Sequence, residues 1–473
     1  MSLYQKLKEY GESDYYGFHM PGHKRNRELM QNTLPYELDI TEIEGFDDLH
    51  HAEGILRQAQ EAAARLYHAE ETHFLVNGST VGLLSAVMGS VPRGGRILVA
   101  RNCHRCVYHA LELQGLEPLF VLPRPCGEGE IAGEVCAEEI RDILEAEAGI
   151  QAVVIVSPTY DGVVSDVKGI ADVAHSHGIP LIVDEAHGAH FGFHPLFSEN
   201  ANQLGADLVI HSLHKTMPAL TQTALLHING PLAKRESVRR YLDMLQSSSP
   251  SYILMAGIDE CIRLMEEKKE KLFRDYTDCL LDTREELKKM QYLRIFETEH
   301  YDKSKILIQT NTCNKSAKEV YKILLDQYHL QMEMVSKDYF LAMTSVGDSR
   351  EGLKRLEKAL VEIDQALKPG TKAAEKVFWF APQESFLTCA QMRDLLQKSE
   401  GTEADRRVSL PWEECRGKIC TEYVYLYPPG IPLLIPGERV SETTIEALVS
   451  CRADGSKIRG IRRQGYLEVW KDA

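Results

Sequence analysis

Four apolar runs, Arg96 to Ala100, Ala152 to Val156, Ile179 to Val183 and Asp207 to Ile210, each stop at polar residues, and this pattern constrains the chain more than any other feature. Runs so rich in Val, Ile and Leu read as strands buried on both faces. Their alternation with amphipathic stretches predicts β-α-β units and a mostly parallel sheet, an α/β fold. Open α/β sheets bind ligands beyond the carboxyl ends of their strands. The polar segments 102–106, 157–162, 184–190 and 212–215 are therefore site candidates on topology alone.

Beyond Ser247 the pattern changes. Glu260 to Met290 carries Glu and Lys at helical spacing and reads as a connecting helix. A strand at Lys305 to Gln309, a helix from Ser316 and strands at Gln331 to Val335 and Tyr339 to Thr344 follow. A helix with Leu353, Leu356, Leu360 and Ile363 on one face then completes a small α+β domain. Gln365 to Lys376, with Pro369 and Gly370, reads as a linker, and the remainder as a third unit with a basic patch at Arg459, Arg462 and Arg463. The expected domains are 1–259, 260–368 and 369–473, in keeping with about 150 residues per domain.

With 54 Lys+Arg against 70 Asp+Glu the formal charge is −16, which argues against a nucleic-acid partner. No apolar run approaches the roughly 20 residues that span a bilayer, so no membrane partner is expected. The first ten residues lack the apolar core of a secretory signal, and a cytoplasmic location is expected. Eleven dispersed cysteines suit a reduced, buried population. Cys103 and Cys106 have no second Cys-x-x-Cys to complete a zinc site, and no metal is expected.

Val76-Asn-Gly-Ser-Thr-Val-Gly82 is a small-residue turn opening an apolar helix, where unpaired N–H groups and hydroxyls cradle phosphate; Ser79 and Thr80 also fit a plain N-cap. Asp184 ends a strand and opens Asp-Glu-Ala-His-Gly-Ala-His. A helicase reading fails for want of a phosphate loop upstream, and a metal reading of His187, His190 and His194 lacks His-Glu-x-x-His and is interrupted by Gly188 and Gly192. Lys215 follows another strand; burying an ammonium there is costly unless its pKa falls or it is covalently engaged, the alternative being a solvent-facing loop lysine. A phosphate cradle, a strand-end aspartate and a strand-end lysine together are the groups that pyridoxal 5'-phosphate requires. The aspartate keeps the pyridine nitrogen protonated, and the lysine holds the aldehyde as an imine.

Phe18-His-Met-Pro-Gly-His-Lys24, Asn77-Gly-Ser-Thr80, Arg101-Asn-Cys-His104, Pro158-Thr-Tyr-Asp-Gly162, Asp184-Glu-Ala-His187, Ser212-Leu-His-Lys215, Leu220-Thr-Gln222 and Tyr427-Pro-Pro-Gly-Ile-Pro-Leu-Leu-Ile-Pro-Gly-Glu438 resemble, in order and over nearly the whole chain, the Orn/Lys/Arg decarboxylases. The resemblance implies a pyridoxal-phosphate-dependent transferase fold of type I with a large domain, a smaller α+β domain and a C-terminal domain. It implies Lys215 as the imine lysine, Asp184 as partner of the pyridine nitrogen, His104 stacked over the cofactor and His187 beside it. Gly78, Ser79, Thr80, Ser212 and His214 would hold the phosphate, with Ser248 reaching across from a second subunit of a homodimer.

Three departures qualify the resemblance. Long members carry an N-terminal wing before the His-x-Pro-Gly-His segment, which here begins just after Phe18, so a short wingless form is expected. Cys106 stands where relatives often have serine, and Pro218 interrupts a small-residue run. Glu413 to Ile419 matches the family's C-terminal substrate segment loosely, leaving Glu414 as the candidate for the substrate's distal cation; an exposed loop carboxylate is its alternative. The implied reaction is decarboxylation of a basic amino acid, arginine favoured over lysine or ornithine, in polyamine synthesis. Transamination or aldol cleavage on the same fold, and a non-catalytic binding protein, are the alternatives.

Overall fold

The computed structural model describes residues 14–18, 24, 42, 46–126, 131–370, 383–399, 406–427, 430–454 and 458–471. Residues 19–23 of the His-x-Pro-Gly-His segment, Pro428, Pro429 and the linker residues 371–376 lie outside them.

The large domain is a seven-stranded sheet. Its strands in chain order are Glu71–Leu75 (β1), Arg96–Ala100 (β2), Glu117–Val121 (β3), Ile150–Val156 (β4), Leu181–Asp184 (β5), Leu208–His211 (β6) and Ala224–Ile228 (β7). Their order across the sheet is β1-β7-β6-β5-β4-β2-β3. From β6 to β3 every pairing is parallel, whereas β7 runs antiparallel to both β6 and β1. The connection from β6 to β7, residues 212–223, holds a helix of one turn and returns the chain antiparallel. All four residues of β5 and of β6 are buried, as the continuous apolar runs require. Helices Gly78–Ser90 (α1), Arg105–Gln114 (α2) and Val167–Ser176 (α3) pack their apolar faces on the sheet, forming one core with its strands.

Tyr252–Leu287 forms a single helix (α4) of 36 residues, about 54 Å at 1.5 Å per residue. It opens on Ser251, whose Oγ accepts the Leu254 N–H, and it runs across the expected 259/260 boundary. The second domain's four-stranded sheet contains Arg294–Ile295 (β8), Lys305–Gln309 (β9), Met334–Val335 (β10) and Tyr339–Met343 (β11), in the order β8-β9-β11-β10. The expected strand 331–335 is divided. Leu330–Met332 pairs parallel with Tyr16–Phe18, a bend falls at Glu333, and only β10 joins this sheet. Leu353, Leu356, Leu360 and Ile363 of helix Arg350–Ala366 are all buried against α4 and this sheet.

The third unit has its own small core around Trp412, Leu434, Leu448 and Val469. Its segment 430–438 returns to the large domain, where Arg101 at the end of β2 donates to the carbonyls of Pro432 (2.8 Å) and Leu433 (3.2 Å). In the basic patch, Arg462 pairs with Glu468 and Arg463 lies over the Tyr466 ring. All eleven cysteines are free, and all but Cys126 are buried. No described helix is long and apolar enough to cross a membrane.

Candidate active site

A cavity of about 610 Å³ opens beyond the carboxyl ends of the parallel strands. Gly78, Ser79, Thr80, His104, Asp184, His187, His214 and Lys215 all line it. Ser212 is fully buried at the start of the short helix Leu213–Thr216 and is not part of the lining. Ser248 is exposed and outside this chain's cavity.

Glu414, the candidate for the substrate's distal cation, lies outside this chain's cavity. It ends the 3₁₀ turn Trp412–Glu414, between buried Trp412 and Cys415, which anchor that turn in the third unit and leave the carboxylate exposed and away from the lining. The acids that do line the cavity are Asp161, Asp184 and Glu333. The three histidines of the metal reading also diverge. His187 faces the cavity, His190 pairs with Asp302 at 3.0 Å, and His194 lies against Thr277 at 3.4 Å.

At one end of the cavity, helix α1 begins without a side-chain cap. Asn77 would ordinarily supply one, but its Oδ1 accepts the Ser247 N–H at 3.0 Å. Gly78 takes φ +76°, a left-handed conformation that strains any side chain, and with Ser79 and Thr80 it brings the start of α1 into the cavity lining. Ser79 and Thr80 sit inside the helix rather than at its cap. Two buried polar atoms nearby, Ser212 Oγ and Asn102 Oδ1, have no hydrogen-bond partner among the described residues. Uncapped N–H groups and an unpaired buried hydroxyl are what a phosphate would satisfy.

Asp184 is the last residue of β5, and its Oδ1 accepts the Ala186 N–H at 3.1 Å. Burial pushes its pKa up and the charge of Lys215 opposes the rise. A cationic ring nitrogen would act in the same sense as Lys215, so the donor set fits pyridoxal phosphate. Burial lowers the pKa of Lys215, with Asp184 opposing. Lys215 Nζ lies 3.1 Å from His187 Nε2.

His104 is the N-cap of α2. Burial and the Lys215 charge hold its pKa down to about 3, so the ring is neutral. Its Nδ1 accepts the Cys106 N–H at 3.4 Å and lies 3.0 Å from the Cys106 thiol, which places the ring proton on Nε2. His214 is likewise neutral, held to about 4 by burial, with Nδ1 3.0 Å from the Thr223 carbonyl.

The far wall comes from the second domain and from 157–162. Tyr160 OH donates to Glu333 Oε1 at 2.8 Å, and Tyr339 OH donates to Asp161 Oδ1 at 3.0 Å. Burial raises the Asp161 pKa to about 6. Sequence reasoning missed Glu333 and Lys305. Lys305, on β9, is 0% exposed and lies 2.9 Å from His187 Nδ1. A lysine opening an apolar strand looks like an ordinary edge residue, and no local pattern signals that the strand end packs against His187 of the large domain.

Residues 1–344 match the Orn/Lys/Arg decarboxylase major domain, and residues 385–461 match the Orn/Lys/Arg decarboxylase C-terminal domain. An arginine decarboxylase of Bacillus subtilis is 30% identical over 474 aligned residues, covering 97% of this chain and 95% of that protein. The fold is similar to that of a Francisella novicida lysine decarboxylase, with a TM-score of 0.76 and 18% identity over 98% of this chain and 80% of that one. It is also similar to the Escherichia coli constitutive lysine decarboxylase, with a TM-score of 0.74 and 19% identity over 88% of this chain and 74% of that one. Match, fold and donor set agree: the chain belongs to the Orn/Lys/Arg decarboxylase family of pyridoxal-phosphate-dependent amino-acid decarboxylases.

Proposed function

We propose that the protein decarboxylates L-arginine, in preference to lysine or ornithine, and that it works as a cytoplasmic homodimer supplying amine for polyamine formation. The observation that carries the chemistry is the convergence of Lys215, Asp184 and the uncapped start of α1 on one cavity. The arginine preference is supported by the Bacillus subtilis relative's name, and the carboxylates Asp161 and Glu333 in the cavity lining suit the distal cation of a basic amino acid. The resemblance implies that the Ser248 hydroxyl reaches another copy's cavity, and its exposure leaves it available to a second subunit. Free, buried cysteines suit a reducing compartment.

The N–H groups at Gly78, Ser79 and Thr80 and the hydroxyls of Ser79, Thr80 and Ser212 would hold the phosphate. His214 has Nδ1 engaged by the Thr223 carbonyl, so it can donate through Nε2 only when protonated, a form that a phosphate dianion favours. Bound pyridoxal phosphate supplies an electron sink that takes up the pair released when CO2 leaves Cα. Asp184 holds the positive charge that makes the sink effective. The same burial that lowers the Lys215 pKa keeps its amine nucleophilic and later lets it carry a proton to Cα. His104, neutral with its proton on Nε2, forms one wall and adds no charge to compete with Asp184. Tyr160 orients Glu333 toward a distal guanidinium.

The test is to incubate purified protein with arginine, lysine and ornithine and to follow CO2 and amine, after borohydride reduction of a parallel sample and peptide mapping. Agmatine and CO2 from arginine, with label on Lys215, are expected. Keto acid without CO2 would overturn the reaction assignment.

A further inference from the structure

His187 lies between two lysines. Its Nε2 is 3.1 Å from Lys215 Nζ and its Nδ1 is 2.9 Å from Lys305 Nζ. A neutral imidazole has one N–H and one lone pair, so it can accept from only one ammonium. The other nitrogen must donate, and a lysine can accept only as a neutral amine. The ring itself is neutral, because burial and the charges of Lys215 and Lys305 press its pKa well below the usual histidine range. One of the two lysines facing it is therefore deprotonated.

We propose that Lys305 is a positioning residue for Lys215: its ammonium donates to His187 Nδ1, the ring proton is thereby fixed on Nε2, and Lys215 meets that proton as a neutral amine. This rests on the reading of Lys215 as the cofactor's lysine. The assignment of charge follows from what surrounds each amine. Lys305 has the carboxylates of Asp302, Glu333 and Asp161 favouring its charged form, with Lys215 opposing and the Tyr160 ring 5.9 Å from Nζ. Lys215 has Asp184, the Cys106 thiol and Glu333; burial keeps that thiol protonated, and Asp184 is the carboxylate that the cofactor's ring nitrogen would engage. His187 also packs edge-on to Tyr160, with centroids 5.1 Å apart. Lys305 is pushed down to about 8 by burial, which places its loss of charge within the working range of pH.

The arrangement also moves a proton without a charged histidine. Lys305 gives a proton to Nδ1 as His187 gives its Nε2 proton to Lys215. Lys305 ends as an amine, Lys215 as an ammonium, and His187 as the other tautomer.

The experiment is competitive labelling of lysine amines by a small acylating reagent across pH 6–10, on full-length protein freed of cofactor, with the Lys215 peptide quantified by mass spectrometry. The rate of visible-band recovery on adding pyridoxal phosphate is the second readout. Lys305→Met should lower Lys215 labelling at pH 8 about tenfold, equivalent to a rise of one pKa unit. Lys305→Arg, which keeps the donor, should restore it. In a His187→Phe background, Lys305→Met should change labelling less than twofold. An equal change in both backgrounds would mean that Lys305 acts by charge through space and would overturn the proposal, as would unchanged labelling in folded Lys305→Met. Failure of borohydride to label Lys215 in the wild type would instead defeat the reading of Lys215 itself.

Discussion

Arg101 Nη2 lies 3.2 Å from Glu438 Oε2, with the two side chains 3% and 1% exposed, so one buried ion pair fastens the third unit to the end of a strand in the large domain. Arg101 also donates to Tyr108 OH and to two carbonyls of 432–433, and Glu438 accepts the Ile435 N–H. Removing one partner leaves the other charged and buried, which costs about 3–5 kcal/mol. Glu438→Gln and Arg101→Met should each lower the melting temperature and expose 430–438 to protease, as limited proteolysis would read. The double variant Arg101→Met, Glu438→Leu should recover a large part of the loss.

Lys215→Ala should abolish the borohydride-labelled cofactor adduct and cut turnover by at least about 10³-fold, near the range for losing a positioned proton carrier. Asp184→Asn should keep the lysine and lose the charge partner. Its expected signature is weaker retention of pyridoxal phosphate on dialysis and turnover reduced by about 10²-fold or more.

Glu333→Gln tests recognition of the distal cation. Losing a charge-assisted hydrogen bond of about 1.5–3 kcal/mol should raise KM for arginine by about tenfold to a hundredfold, with a smaller effect on kcat. Citrulline, the neutral isostere, gives the control. The arginine-to-citrulline ratio of kcat/KM should fall in the variant, and an unchanged ratio would remove Glu333 from recognition.

Asp161 links the cavity to stability. Burial raises its folded pKa to about 6, above the ordinary value, so the folded chain holds that proton more tightly than the unfolded chain. The resulting stability is fully present below about pH 4 and is lost as pH rises toward 6. Asp161→Asn should therefore stabilise the cofactor-free protein by about 3 kcal/mol at pH 8 and leave it unchanged at pH 4, as denaturant titrations at the two pH values would show. Lower affinity for substrate is the expected cost of that gain.

The parallel strands were readable because β-branched apolar runs leave few other options, and Arg96 to Ala100 coincides with an observed strand; so does Lys305 to Gln309 in the antiparallel sheet of the second domain. Ala224–Ile228 was not identified, since an antiparallel return is set by connection length and pairing rather than by its own composition. Asp184 and Lys215 were recognisable from their place after buried runs. Lys305 and Glu333 were not, because their significance depends on the small domain closing over strand ends that are far away in sequence. The placement of Glu414 outside this chain's cavity was not legible for the related reason that an acid in a matching segment says nothing about where a 3₁₀ turn puts it.

Tyr427 and Ile431, which line the cavity, are encoded more than 200 residues after Lys215. During synthesis the seven-stranded sheet can assemble well before the wall that completes its pocket has left the ribosome. Nascent chains thus carry the reactive lysine in an open basin until those residues arrive.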